Sequence, residues 1–74
     1  MTKFIVVAKD TEGAYARTIA AAREKGGIIS DEFETLQMFS VEMSDADAKG
    51  LQGSLVSDIL SFEPDKQVGS KALV

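Results

Sequence analysis

The chain has 74 residues, with neither cysteine nor histidine, and 8 Lys and Arg against 12 Asp and Glu for a formal net charge of −4. Without Cys or His there is no disulfide, no thiolate or imidazole metal site, and no Ser-His or Cys-His pair to activate a nucleophile, so a non-enzyme is expected, with no cofactor and no metal. The acidic balance lacks the clustered cations that grip nucleic acid or an anionic membrane surface, so neither is expected as a partner.

The length makes one domain. Apolar content of 45% with 27% charged residues is that of a globular chain. A domain this short buries only about 60% of the surface its unfolded chain exposes, so modest stability is expected. No apolar run approaches the roughly 20 residues of a membrane-spanning helix. The start, "MTKFIVVAKD", holds an apolar run too short for the core of a signal peptide, and the expected compartment is the cytoplasm.

Residues 3–9, "KFIVVAK", are β-branched and aromatic between charges and read as a central strand with two apolar faces. "DTEG" breaks the pattern, with Thr11 as the expected N-cap of a helix over residues 12–25. Tyr15, Ile19 and Ala22 recur on one face of that helix. Arg23 and Lys25 stand in its last turn, where cations suit the dipole, and Gly26 ends it. "GIISDEF" is a second strand, expected to carry Ile29 and Phe33 on one face with Asp31 between them. "ETLQ" connects it to a third, "MFSVEM", in which Phe39, Val41 and Met43 alternate with Met38, Ser40 and Glu42. Ser44, with an acid three residues on, is close to a capping box and opens a second helix running to about Ser54. Ala48, Leu51 and Leu55 form its apolar face, and Gly50 and Gly53 weaken it. "SDILSF" is the fourth strand, ending at Phe62.

The order β-α-β-β-α-β predicts an α+β, ferredoxin-like fold: a four-stranded antiparallel sheet with both helices on one face. The expected division is a domain over residues 1–63 and an extended tail over residues 64–74. The strands put apolar side chains on both faces, Phe4 and Val6 against Ile5 and Val7. The face without helices is therefore left bare, and a bare apolar sheet face is a candidate partner site.

"DADAKG", residues 45–50, imitates the start of a calcium-binding loop. It fails at the fifth position, Lys49, and at the twelfth, Val56, and reads as acids in the first turn of a helix. "KGG", residues 25–27, lacks the rest of a phosphate loop and reads as a helix stop. Asp31, Glu32 and Glu34 alternate in direction and read as a solvated edge. "EPD", residues 63–65, reads either as a turn or as two carboxylates, Glu63 and Asp65, aimed outward to accept from the free N–H groups at helix N-termini on a partner. "KQVGSKALV" shows no helical period. It reads either as a frayed terminus or as an extended peptide that adds to another protein's strand edge.

The stretches "KFIVVAK", "GGIISDEF", "LQMFSVEMS" and "LQGSLVSDILSFEPDKQV", in that order and over about residues 3–71, resemble the subtilisin propeptide-like protease inhibitors. That family holds propeptides of subtilisin-type serine proteases and free-standing fungal inhibitors of proteinases A and B. The resemblance implies a bare sheet face packed on two helices of a subtilisin-like serine protease, with Glu63 and Asp65 capping those helices. It implies a tail lying in the active-site cleft as a substrate would, Val68 in the fourth pocket before the scissile bond and Gly69, Ser70 and Lys71 in the third, second and first. It implies a competitive inhibitor, monomeric when free, and a folding helper for the enzyme. Two departures stand out: Pro64 replaces an acid common in the family, and Ala72, Leu73 and Val74 continue past Lys71, so that either these three lie beyond the catalytic serine or the frame shifts and Val74 is the terminal occupant of the cleft. Two alternative readings are a propeptide segment of a longer precursor and a small-molecule-binding regulatory domain that dimerises through its sheet.

Overall fold

The computed structural model describes residues 2–65. Strands β1 (Thr2–Ala8), β2 (Ile28–Phe33), β3 (Met38–Met43) and β4 (Ile59–Pro64) form one sheet in the order β2-β3-β1-β4, with every neighbouring pair antiparallel. Helix α1 (Ala14–Glu24) links β1 to β2 and helix α2 (Asp45–Ser54) links β3 to β4. The fold is therefore the ferredoxin-like α+β arrangement that the element order predicts. The hydrophobic run in β1 is central, paired on both sides as its apolar faces require.

The core lies between the sheet and the helices. Phe4 and Val6 of β1, Phe39, Val41 and Met43 of β3, Ile19 and Ala22 of α1, and Ala48 and Leu51 of α2 make one buried cluster. Phe62 of β4 packs on it, its ring 5.2 Å from that of Phe4, and Tyr15 sets its ring edge-on to Phe39 at 6.0 Å. The alternation read in "MFSVEM" holds, since Phe39, Val41 and Met43 all face inward.

Helix α1 starts later than the sequence implies. Its N-cap is Gly13, in the left-handed conformation at φ 80°, with no side-chain cap. Thr11 contributes only its carbonyl, which accepts from the N–H of Ala14 at 3.1 Å. The conformation at Gly13 suits a residue without Cβ, and a Cβ there would come within 2.6 Å of the Arg17 guanidinium that lies over it. The other end follows the expected stop. Gly26 has φ 85° and its N–H donates to the carbonyl of Arg23, while Gly27 donates to Ala22, the paired bonds of a Schellman motif. Helix α2 opens as read, the Ser44 hydroxyl accepting from the N–H of Asp47 at 3.1 Å. Asp45 and Asp47 thus stand in a helix's first turn, as in the non-calcium reading of "DADAKG".

Strand β2 departs from simple alternation. Ile29 lies opposite Val41, Asp31 opposite Ser40 and Phe33 opposite Met38, so Ser30 is an extra residue in the ladder. Because side chains alternate with a period of two, one inserted residue sends everything after it to the other face. Ile29 therefore faces the helices, and Asp31 and Phe33 face away, correcting the expectation that Ile29 and Phe33 share a face. A second irregularity sits in β4, where Ala8 pairs with Ile59 and Val7 with Ser61, leaving Leu60 between them and 67% exposed.

Strand β4 also lies two residues later than expected. The N–H groups of Asp58 and Ile59 turn back to the carbonyl of Leu55, so the strand begins at Ile59 and continues to Pro64. The segment "EPD" is thus not a turn: Glu63 pairs with Ile5 and Pro64 with Phe4.

Two glycines give opposite expectations. A Cβ at Gly27 would lie 2.7 Å from Val41 Cγ2 and 2.9 Å from the carbonyl oxygen of Ala22, whereas one at Gly53, inside α2, would meet nothing within 4 Å. Gly27→Ala is expected to destabilise the fold by about 1–3 kcal/mol through overpacking, and Gly53→Ala to stabilise it by about 0.5–1 kcal/mol. Urea unfolding of both variants checks this. A neutral Gly27→Ala would show that the end of α1 does not abut β3.

Candidate protein-binding face

The pairing registers place the side chains of the helix-free face in three rows that run across the sheet. The first holds Ile28, Glu42 and Lys3, with Asp65 beyond them; the second Asp31, Ser40, Ile5 and Glu63; the third Phe33, Met38, Val7 and Ser61. One end of the face is therefore acidic and the other apolar. Phe33 is 46% exposed, and Leu36 in the adjoining 3-10 turn (Glu34–Leu36) is 63% exposed. Both helices lie on the opposite side, so nothing in residues 2–65 covers this surface.

The acidic end is ordered by a small polar network. Ser40, buried at 2% exposure, donates its hydroxyl to Asp31 Oδ2 at 3.1 Å and shares a hydrogen bond with Ser30 Oγ at 3.0 Å. Lys3 Nζ stands 3.8 Å from Asp31 Oδ2 and 4.0 Å from Asp65 Oδ2. The Ser30 bulge makes this cluster, because without it Asp31 would fall on the helix side.

Glu63 and Asp65 lie on the same face but in different surroundings. Glu63 is exposed and makes no ion pair or side-chain hydrogen bond among the described residues. Asp65 is half-buried, paired with Lys3, and donates its N–H to the Lys3 carbonyl at 2.7 Å. In an antiparallel ladder bonded pairs alternate, so the bond at Asp65 puts Pro64 at a non-bonded position, its nitrogen toward the open side of edge strand β4. Proline therefore removes no ladder bond there. Its ring faces the helix side, on the wall of a groove of about 390 Å³ shared with Thr2, Phe4, Ala48, Lys49 and Phe62. The expected cleft-binding residues Val68, Gly69, Ser70 and Lys71 lie outside the described residues.

Sequence reasoning missed the strongest ion pair. Arg17 Nε and Nη2 donate to the two carboxylate oxygens of Asp58, each at 2.9 Å, tying the start of α1 to the turn before β4. The partners are 41 residues apart and no local pattern links them. Lys3 and Asp31 were equally hidden, since their meeting depends on the register and the bulge. No helix among the described residues is long and apolar enough to cross a membrane.

Comparison of the sequence with protein-family models gave no match, and comparison with curated proteins gave none.

The Arg17 guanidinium, through its hydrogen bonds, holds the Asp58 carboxyl below its ordinary value, and the Asp58 carboxylate in turn raises Arg17. For a carboxyl depressed in the folded state, the stabilisation is fully present above the unfolded value of about 3.9 and is lost as pH falls through the folded value. The Arg17 contribution is lost only above an already very alkaline range. Arg17→Gln is expected to cost stability at neutral pH and to lose less than the parent protein between pH 5 and pH 2. Thermal unfolding across that range tests the pair. Parallel curves for the two proteins would show that Asp58 gains nothing from Arg17.

Proposed function

We propose that this protein inhibits subtilisin-like serine proteases by occupying the enzyme with a folded domain and a substrate-like C-terminal segment. The sheet face docks on the enzyme's surface helices, and carboxylates at the end of the last strand accept from the N–H groups that a helix N-terminus leaves free. The residues after Asp65 run into the substrate cleft and pair with the enzyme's edge strands, Val68, Gly69, Ser70 and Lys71 filling the fourth to first pockets before the scissile bond. Inhibition is competitive, and the same docking assists folding of the enzyme.

The observation that carries this reading is the uncovered face. It is apolar at one end and acidic at the other, and the chain continues from its acidic corner at Asp65. The resemblance of residues 3–71 to the propeptide-like inhibitors gives that face its partner. A monomer in the free state is supported by the same charges. In a face-to-face pair the acidic end would meet either another acidic end or an apolar one, and both cost free energy.

Titration of a subtilisin with the protein, followed for hours against a small chromogenic peptide, tests the reading. Stoichiometric and persistent loss of activity is the expected result. Deleting residues 69–74 is expected to abolish most of the inhibition while leaving thermal stability unchanged. A truncated protein of full potency would refute the cleft mechanism. Phe39→Ala acts differently. The Phe39 side chain is fully buried, and its removal is expected to cost about 3–5 kcal/mol, a large share of what so small a domain has. Inhibition should then fade with time, as the unfolded fraction is digested. Persistent inhibition by Phe39→Ala would show that resistance to the enzyme does not depend on the fold.

A further inference from the structure

We infer that the two acids at the end of the last strand, Glu63 within β4 and Asp65 just after it, have separate tasks: Glu63 meets the partner, while Asp65, held by Lys3, anchors the segment that follows, which makes Lys3 a positioning residue for inhibition. The inference rests on the inhibitor reading.

The resemblance treats Glu63 and Asp65 alike, but their surroundings differ. Lys3 engages Asp65 twice, accepting its N–H at the main-chain carbonyl at 2.7 Å and placing its ammonium 4.0 Å from the carboxylate. Lys3 belongs to the central strand, and its ammonium is also 3.8 Å from Asp31, which Ser40 holds in turn at 3.1 Å. The last described residue is thus tied across the sheet to the opposite edge strand. An ammonium beside Asp65 also opposes the approach of a partner's N–H donors, since both seek the same oxygens. Glu63 has no such competitor among the described residues and is open to solvent.

A fixed point of departure bears directly on binding. A segment that starts from an anchored residue in a set direction has less freedom left to lose when it enters a cleft. Pro64 adds to this, because its φ is fixed by the ring just before the anchor. Lys3 touches no partner in this scheme and acts through Asp65.

The test uses the full chain with Lys3→Gln, Lys3→Arg, Asp65→Asn, Glu63→Gln and the Lys3→Gln/Asp65→Asn double variant. Two quantities are read: hydrogen exchange of the Asp65 amide in the free protein, and the inhibition constant against a subtilisin. Lys3→Gln is expected to speed exchange at Asp65 and to weaken inhibition by about two- to fivefold, the range a half-exposed ion pair carries. Asp65→Asn should do the same, and the double variant should be no worse than either single one. Lys3→Arg should restore both readouts. Glu63→Gln should weaken inhibition and leave exchange at Asp65 unchanged. Unchanged exchange in Lys3→Gln, or additive losses in the double variant, would overturn the inference. If the chain inhibits and Lys3→Gln alters neither readout, only this inference fails. If no subtilisin is inhibited by any form, the inhibitor reading fails and takes the positioning role with it, whatever exchange at Asp65 shows.

Discussion

Two helices of 11 and 10 residues can screen only one face of a four-stranded sheet from water. The buried core lies on that face, where Phe4, Val6, Phe39, Val41 and Met43 meet Ile19, Ala22, Ala48 and Leu51. The other face then has to be tolerable in water while the protein is alone. It is made so by mixing. Ile5, Val7, Met38 and Phe33 are interrupted by Ser40, Glu42, Lys3 and Asp31, and the edge position opposite Ile5 is a glutamate. A surface built this way keeps apolar area exposed while breaking it up with charge, so that no large uninterrupted apolar patch faces water.

The acidic corner depends on a backbone defect. The extra residue Ser30 turns Asp31 outward, toward Lys3 and Ser40, and at the same time allows Ile29 to turn inward onto Val41. One insertion thus serves both faces. An uninterrupted strand would carry Ile29, Asp31 and Phe33 on one face and would either bury the carboxylate or expose Ile29. Bulges near functional surfaces commonly re-aim a side chain in this way, and here the re-aimed residue is the one that steadies Lys3.

The fold was legible because period and punctuation agree along the chain. "MFSVEM" alternates and its inward set is buried; the Gly26 stop and the Ser44 cap both form the hydrogen bonds their residue types imply. What was not legible was decided across sequence distance. Thr11 looks like the better cap, yet Gly13 takes the position because the chain enters α1 through a left-handed residue with Arg17 packed over it. Strand β4 begins at Ile59 rather than at Ser57, because Asp58 is committed to Arg17 and to the turn at Leu55. Of the candidate site, Glu63 and Asp65 could be named from the sequence. The difference between them could not, since it depends on the pairing of Asp65 with Lys3 at the far end of the chain.

That pairing bears on Pro64, the clearest departure from the resembled family. In an interior strand a proline would break the ladder, and in a turn it would send the chain away from the sheet. Here it stands at a non-bonded position of an edge strand, with the bonded residue Asp65 after it. The backbone therefore absorbs the proline without loss of a ladder bond. It stands between two carboxylates, and Lys3 stands beside one of them. Glu63, by contrast, is exposed and makes no ion pair among the described residues. For a domain whose small core leaves little stability to spare, tying Asp65 to Lys3 is an inexpensive way to fix the end of β4, because it adds no apolar surface and orders no residue that the sheet has not already ordered.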